Sequence, residues 1–244
     1  MKNSYWIVGK HAVKAALNNT QRTKIRLCTT KEIKLANYNL KGLATEILSK
    51  DQISKIIGNS TAHQGIALQV KNLKHLDIKE LLNKNTSKQN IIVILDQITD
   101  TQNIGAILRS AQAFNVSAII CQEKNSPKEN TQIAKAAAGA LEFIPILYVK
   151  NISQTLKILK NKDYWTIGLD GNATNSLKTL SLDENFFKDN ITLIMGSEGK
   201  GLRDLVAKNC DVCCKIDIHN SIDSLNVSVA LAIALYEITR SQKI

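Results

Sequence analysis

"IIVILDQITDTQNIGAILRSAQAFN", Ile91 to Asn115, is the stretch on which the fold turns. Its first five residues are an unbroken apolar run, as in a strand covered on both faces of a parallel sheet. A polar loop follows, then Asn103, a residue type suited to an N-cap. From there Ile104, Ile107, Leu108, Ala111 and Phe114 fall on one stripe at about 100° per residue, which predicts an amphipathic helix. Arg109 projects away from that stripe, so packing does not require it. An arginine in that position either wets the outer face or works on a ligand, and the helix alone does not decide between them.

Strand and helix patterns keep alternating downstream. "SAIIC" precedes "NTQIAKAAAG", "FIPILYV" precedes "ISQTLKILKN", and "YWTIGL", "ITLIM" and "VCCKIDI" follow before the last helix, "SLNVSVALAIALYEITR". That succession predicts an α/β domain over residues 91–244 with a mainly parallel sheet. Ligands of such sheets sit beyond the strands' carboxyl ends. Residues 1–73 read differently, as a small α+β unit. It has a helix at "KHAVKAALNN", a strand at "KIRLC", helical patterns near "LKGLATEILSK" and "DQISKII", and a strand at "QGIALQV". Residues 74–90, ending in the polar "NKNTSKQN", are placed as the linker.

The 244 residues are 44% hydrophobic and 22% charged, an ordinary globular composition. The net charge of +11 suits a polyanionic partner, nucleic acid or an acidic membrane surface. The N-terminus lacks the apolar segment of a signal peptide, and the longest apolar run, "NVSVALAIALY", is too short for a bilayer, which needs about 20 residues. A cytoplasmic protein without membrane contact is expected. The five cysteines are odd in number. "CDVCC", Cys210 to Cys214, lacks the paired knuckles of a structural zinc site, so reduced thiols at strand positions and no metal are expected.

Two more loops carry residues that structure alone does not call for. "MGSEGKGL" follows a strand and opens a helix, but it matches neither the phosphate-loop pattern nor GxGxxG. Gly196, Gly199 and Gly201 allow close backbone approach, and Glu198 suits a cationic or hydroxyl-bearing ligand better than a phosphate. The second loop leads into a helix that is apolar almost all round from Val227 to Leu235, as for an element buried in a core or an interface. Its first turn carries Ser224, a candidate cap, and Asn226. Both are also able to hydrogen-bond a ligand.

Taken in order, "LDQITDTQNIGAILRSAQAF", "IMGSEGKGL" and "SLNVSVALAIALYE" resemble the three motifs of the SpoU (TrmH-like) RNA ribose 2′-O-methyltransferases. "AAAGALEFIPILYV" and "YWTIGLDG" are also similar to that family. "GKHAVKAAL" and "HQGIALQV" resemble the substrate-binding domain, ribosomal-protein-like in fold, that precedes many of its catalytic domains. With that front domain, the branch most resembled methylates a guanosine ribose in large-subunit rRNA. The resemblance implies a trefoil-knotted α/β catalytic domain, a homodimer, and S-adenosylmethionine as methyl donor. It implies catalytic roles for Asn103, Arg109, Glu198, Ser224 and Asn226, and cofactor contacts at Gly196, Ile216, Ile218 and Leu225. Three places depart from the family pattern: Thr101 and Asp217 stand where prolines are usual, Ile218 follows in place of a Met, and Asn220 replaces a common Gly. A tRNA ribose methyltransferase is the alternative within the class. A non-catalytic RNA-binding or assembly factor on a decayed methyltransferase is the alternative outside it. Lys10, Lys14, Arg22, Lys24, Arg26, His63 and Lys71 of the front unit are the candidates for RNA contact.

Overall fold

The structure is a computed structural model that describes residues 4–58, 62–84, 89–183, 186–187, 189–197, 199 and 201–241. The front unit comprises β1 (Ser4–Val8), α1 (Lys10–Asn18), β2 (Lys24–Thr29), β3 (Thr45–Ile47), α2 (Lys50–Ile57) and β4 (Ile66–Lys71). Its sheet runs β1-β4-β2-β3, antiparallel except for the β2–β3 pair. The helix expected near "LKGLATEILSK" is not formed. Gly42 takes a positive φ there, and Thr45–Ile47 pair with Leu27–Thr29 instead, so tertiary pairing overrides the local pattern. α2 starts afterwards on a reciprocal capping box between Ser49 and Gln52.

α3 (Ile78–Lys84) connects the front unit to the larger one, which contains β5 (Ile91–Leu95), α4 (Thr101–Ala113), β6 (Ala118–Gln122), α5 (Thr131–Ala137), β7 (Ile146–Val149), α6 (Ile152–Lys160) and β8 (Tyr164–Leu169). It continues with β9 (Asn175–Ser176), α7 (Leu177–Leu180), β10 (Asn190–Met195), α8 (Asp204–Ala207), β11 (Val212–Lys215) and α9 (Val227–Ser241). The seven strands are parallel, in the order β7-β6-β5-β10-β8-β11-β9. The chain therefore returns twice into the sheet it has already laid down: β10 fills the slot between β5 and β8, and β11 the slot between β8 and β9.

Alternation along β5 sorts the helices into two layers. Ile92 and Ile94 face Leu81 of α3 and Leu156 of α6, whereas Ile91, Val93 and Leu95 share a core with Ile104 and Leu108 of α4 and Leu231 and Leu235 of α9. Gly105 sets how closely α4 approaches α5, because a Cβ there would lie 2.2 Å from that of Ala136. The α4 side of the core continues into the front unit through Ile7, Val13, Leu17 and Leu68.

A buried ion cluster joins the two units. Arg22 donates to Glu142 and, through Nη1, to Glu129 at 2.9 Å, with side-chain exposures of at most 2% for all three. Tyr5 donates to Glu129. Burial and Glu129 together push the Tyr5 hydroxyl well above its ordinary pKa, so it stays a donor. Burial acts to lower the Arg22 pKa, but the bonds and charge of Glu142 with the charge of Glu129 raise it instead.

Candidate active site

The register brings three strand ends level: Met195 pairs with Leu95 on one side and Leu169 on the other. The residues that follow, Asp96, Asp170 and Gly196, therefore emerge at one edge of the sheet, beyond the carboxyl ends, where ligands of parallel sheets bind. A cleft of about 600 Å³ opens there. Gly196, Ile216, Ile218 and Leu225, the four positions expected to hold a cofactor, all line it, and so does Ser224.

The loop after β10 is a tight structure in its own right. Ser197 and Gly201 exchange two backbone hydrogen bonds of 3.1 and 3.0 Å. A Cβ at Gly196 would meet the Gly201 carbonyl oxygen at 2.3 Å, so the close approach that Gly196 permits is to its own loop as well as to the cleft. Arg203 anchors the far end: its Nε and Nη2 lie 2.8 and 2.7 Å from Asp96 Oδ1. Glu198 lies outside the described residues.

Past β11 the chain continues outside any strand or helix through Ile216, Asp217 and Ile218, which pair with no backbone partner among the described residues. Unpaired amides and carbonyls between apolar side chains, along a cleft wall, fit the edge and faces of an adenine ring. Asp217, which stands in place of a proline, accepts from the Ser176 hydroxyl. Asn220, in place of a glycine, does not take a positive φ, so the loop makes no demand for one there. Thr101 likewise costs the α4 entry little. It is the first helical residue, a position proline fills by preference and other residues tolerate, and its hydroxyl reaches Gln132 at 3.1 Å.

Two capping expectations are corrected. α4 is capped by Asp100, whose carboxylate accepts from Gln102 N, which puts Asn103 inside the first turn. α9 is capped by Asn226, which accepts from Ser228 N at 2.9 Å. Ser224 stands before the cap and makes no hydrogen bond among the described residues. The shift matters, because Asn226 Nδ2 also donates to Asn103 Oδ1 at 2.9 Å and so ties the two helix entrances together.

Arg109 is exposed on α4, about 9 Å along the axis from Asn103. Neither residue is on the cleft wall, and Arg109 has no ion-pair or hydrogen-bond partner among the described residues. α9 is buried along Leu231, Ala234, Leu235 and Ile238 but leaves Val229, Ile233 and Tyr236 exposed. The expectation of an all-round buried helix thus holds for one side only of the single chain.

Among the front-unit candidates, two are corrected. Arg22 is buried in the ion cluster and offers no donor to a surface ligand. His63 is 7% exposed, with Nδ1 accepting from Gly65 N and Nε2 3.1 Å from the Ser54 hydroxyl. Burial lowers its pKa, and it acts as a brace between α2 and the turn into β4. Lys10, Lys14 and Lys71 are exposed, Arg26 is half-buried, and the Lys24 amine donates to the Asn19 carbonyl. Asp170 and the Asp96–Arg203 pair escaped the sequence reading. An aspartate just past the predicted strand "YWTIGL" was a usable signal for the first, whereas nothing local marked the second.

Residues 90–236 match the SpoU rRNA Methylase family, and residues 6–76 match the family described as RNA 2′-O ribose methyltransferase substrate binding. The chain is 34% identical to the 23S rRNA (guanosine-2′-O-)-methyltransferase RlmB of Shewanella oneidensis, over 100% of both proteins. It is 32% identical to RlmB of Xylella fastidiosa, over 99% of this chain and 98% of that one. Among solved structures, the SpoU methyltransferase AviRb from Streptomyces viridochromogenes in complex with AdoMet superposes with a TM-score of 0.81. It covers 98% of this chain and 90% of its own at 19% identity, a likeness of fold.

Proposed function

This chain belongs to the SpoU rRNA methylase family, and from that premise we propose that it methylates the ribose 2′-OH of a guanosine in large-subunit (23S) rRNA. The observation that carries the reading is the meeting of the α4 and α9 entrances, through Asn103 and Asn226, beside a cleft walled by unpaired backbone. S-adenosylmethionine, when bound, supplies an electrophilic methyl group on a sulfonium. The backbone of Ile216–Ile218 would hold its adenine edge, with Gly196 and Leu225 closing the wall.

The remaining requirements are positional. The 2′-OH must be aligned and lose its proton. Asn103, Asn226 and the unbonded Ser224 hydroxyl fix the ribose. Arg109 binds the adjacent phosphate and orients the 2′-OH. A guanidinium is a poor base on its own, so the phosphate it holds is part of the proton's path. A 2′-OH substrate restricts the enzyme to RNA. The exposed row Val229, Ile233 and Tyr236 of α9 supports a homodimer through that face. The two returns of the chain into its own sheet support the knotted path implied by the family. Action on ribosomal RNA supports a cytoplasmic location. No helix among the described residues is long and apolar enough to cross a membrane.

The test is incubation with methyl-labelled S-adenosylmethionine and separate pools of unmodified large-subunit rRNA and tRNA. The expected result is label in 2′-O-methylguanosine of rRNA alone. Label in tRNA overturns the substrate and keeps the chemistry. No label in either pool, with no cofactor heat in calorimetry, overturns the reading.

A further inference from the structure

The front sheet carries a cluster that the cleft does not use. The register sets Trp6 of β1, Gln69 of β4 and Arg26 of β2 side by side in one cross-strand row. The next row on the same face, Val8, Ala67 and Cys28, is buried under Ile53 of α2. Trp6 packs against the edge of that cluster but is only partly buried, so its row is left partly open, with Ser4 and Lys71 paired one step beyond it. A bulge between Lys24 and Arg26 turns the strand at this point, as bulges beside sites do.

Arg26 is held here from three sides. Its guanidinium carbon lies 5.2 Å over the Trp6 ring centroid, Nε donates to Gln69 Oε1 at 3.0 Å, and Nη1 donates to Glu46 Oε1 at 3.0 Å. Even so, 36% of the Arg26 side chain remains exposed. An exposed ion pair contributes little to stability, so stability is a weak reason to fix a guanidinium this way. The arrangement does orient a flat cation over an aromatic ring and leaves Nη2 without a partner among the described residues.

We propose that this row is a stacking platform for one unpaired base of the RNA substrate. The base lies against the Arg26–Trp6 stack, Gln69 and Ser4 meet its edge, and Lys71 meets its phosphate. Stacking on arginine planes and aromatic rings is how proteins hold bases that have left a duplex. Glu46 is compatible with this, because it fixes Arg26 by one nitrogen, and the contact is with a base face and not a phosphate. The excess of positive charge, +11 for the chain, is complementary to an RNA as occupant. The proposal rests on the reading that the chain acts on RNA and adds where the front unit grips it.

The chain has two tryptophans, so Trp165→Phe makes Trp6 the sole reporter. Trp165 packs edge-on against Phe186, away from the cleft lining. Titration of this full-length variant with a short single-stranded oligoribonucleotide is expected to quench Trp6 fluorescence, and a blunt duplex of equal length to quench it far less. Arg26→Lys, which keeps the charge and loses the plane, is expected to weaken oligonucleotide binding at least about five-fold, the lower end of base stacking, with an unchanged melting temperature. Unquenched Trp6, equal quenching by duplex, or undiminished binding by Arg26→Lys overturns the platform. Quenching in a protein that methylates no RNA leaves the platform standing and removes the enzymatic reading instead.

Discussion

Arg22 and Arg109 are both cations in a basic chain, yet they occupy opposite kinds of place. Arg22, at the junction of the two units, has every direction filled: Glu129, Glu142 and the Lys71 carbonyl surround it, and its side chain is fully buried. Arg109, on the outer face of α4, has no partner among the described residues. A buried cation with its charges satisfied organises the fold. An exposed one that packing does not need, less than two turns along α4 from Asn103, is available to a substrate. The difference lies in the partners, and partners are a property of the folded chain.

Arg109→Ala gives the largest expected effect and the sharpest test of that contrast. Methyl transfer should fall about 10²–10⁴-fold, the range of a lost proton-transfer or orienting group. Urea denaturation should show stability within about 0.5 kcal/mol of the parent, as for a surface change. An unchanged rate would return Arg109 to the status of a solvated side chain. Arg22→Ala should do the reverse. Removing the cation strands two buried carboxylates, which costs about 3–5 kcal/mol, and a urea midpoint shift worth less than about 1 kcal/mol would break the comparison.

These two arginines also mark how far a sequence can be read. The stripe Ile104, Ile107, Leu108, Ala111 and Phe114 was legible because helical period is local, and the first four of those side chains are buried, with Phe114 partly so. Arg109's outward position followed from the same arithmetic. Arg22 was not legible, because Glu129 and Glu142 lie more than 100 residues away. His63 failed for a similar reason: its partners come from α2 and the turn before β4, and "HQG" names neither. Thr45–Ile47 took strand form only because β2 offered an edge. The proposed cofactor positions came from resemblance. Their burial pattern gave no hint of them, since an irregular wall such as Ile216–Ile218 has no period to detect.

Asp96 and Arg203 make an intermediate case, one partner buried and the other 37% exposed. Asp96→Asn keeps the shape and removes the charge from a bond network that fixes the end of the glycine loop. A loss of about 1.5–3 kcal/mol is expected, the worth of hydrogen bonds to a charged group. Because Gly196 belongs to that loop, calorimetry should also show weaker cofactor binding. A stability loss with cofactor affinity intact would make Asp96 a fold residue like Arg22.

Lys160 and Asp211 stand at the exposed end of the series, 33% and 21% exposed, and there the effect should be smallest. Partial burial acts to raise the Asp211 pKa, but bonds from Lys160 and from the hydroxyl and backbone amide of Thr166 outweigh it, so the carboxyl is held below its ordinary range. A depressed carboxyl contributes stability above the unfolded value, near 3.9, and loses that contribution as pH falls through the folded value. Asp211→Asn should therefore cost about 0.2–1 kcal/mol at neutral pH, as exposed pairs do. The gap between parent and variant should begin to narrow below about pH 4, where the unfolded carboxyl protonates, and close as pH falls through the lower folded value. If the gap is the same at pH 3 as at pH 7, charge is not what Asp211 contributes. Thr166, which is buried and exchanges bonds with Asp211 in both directions, would then be holding that turn by its neutral hydrogen bonds alone.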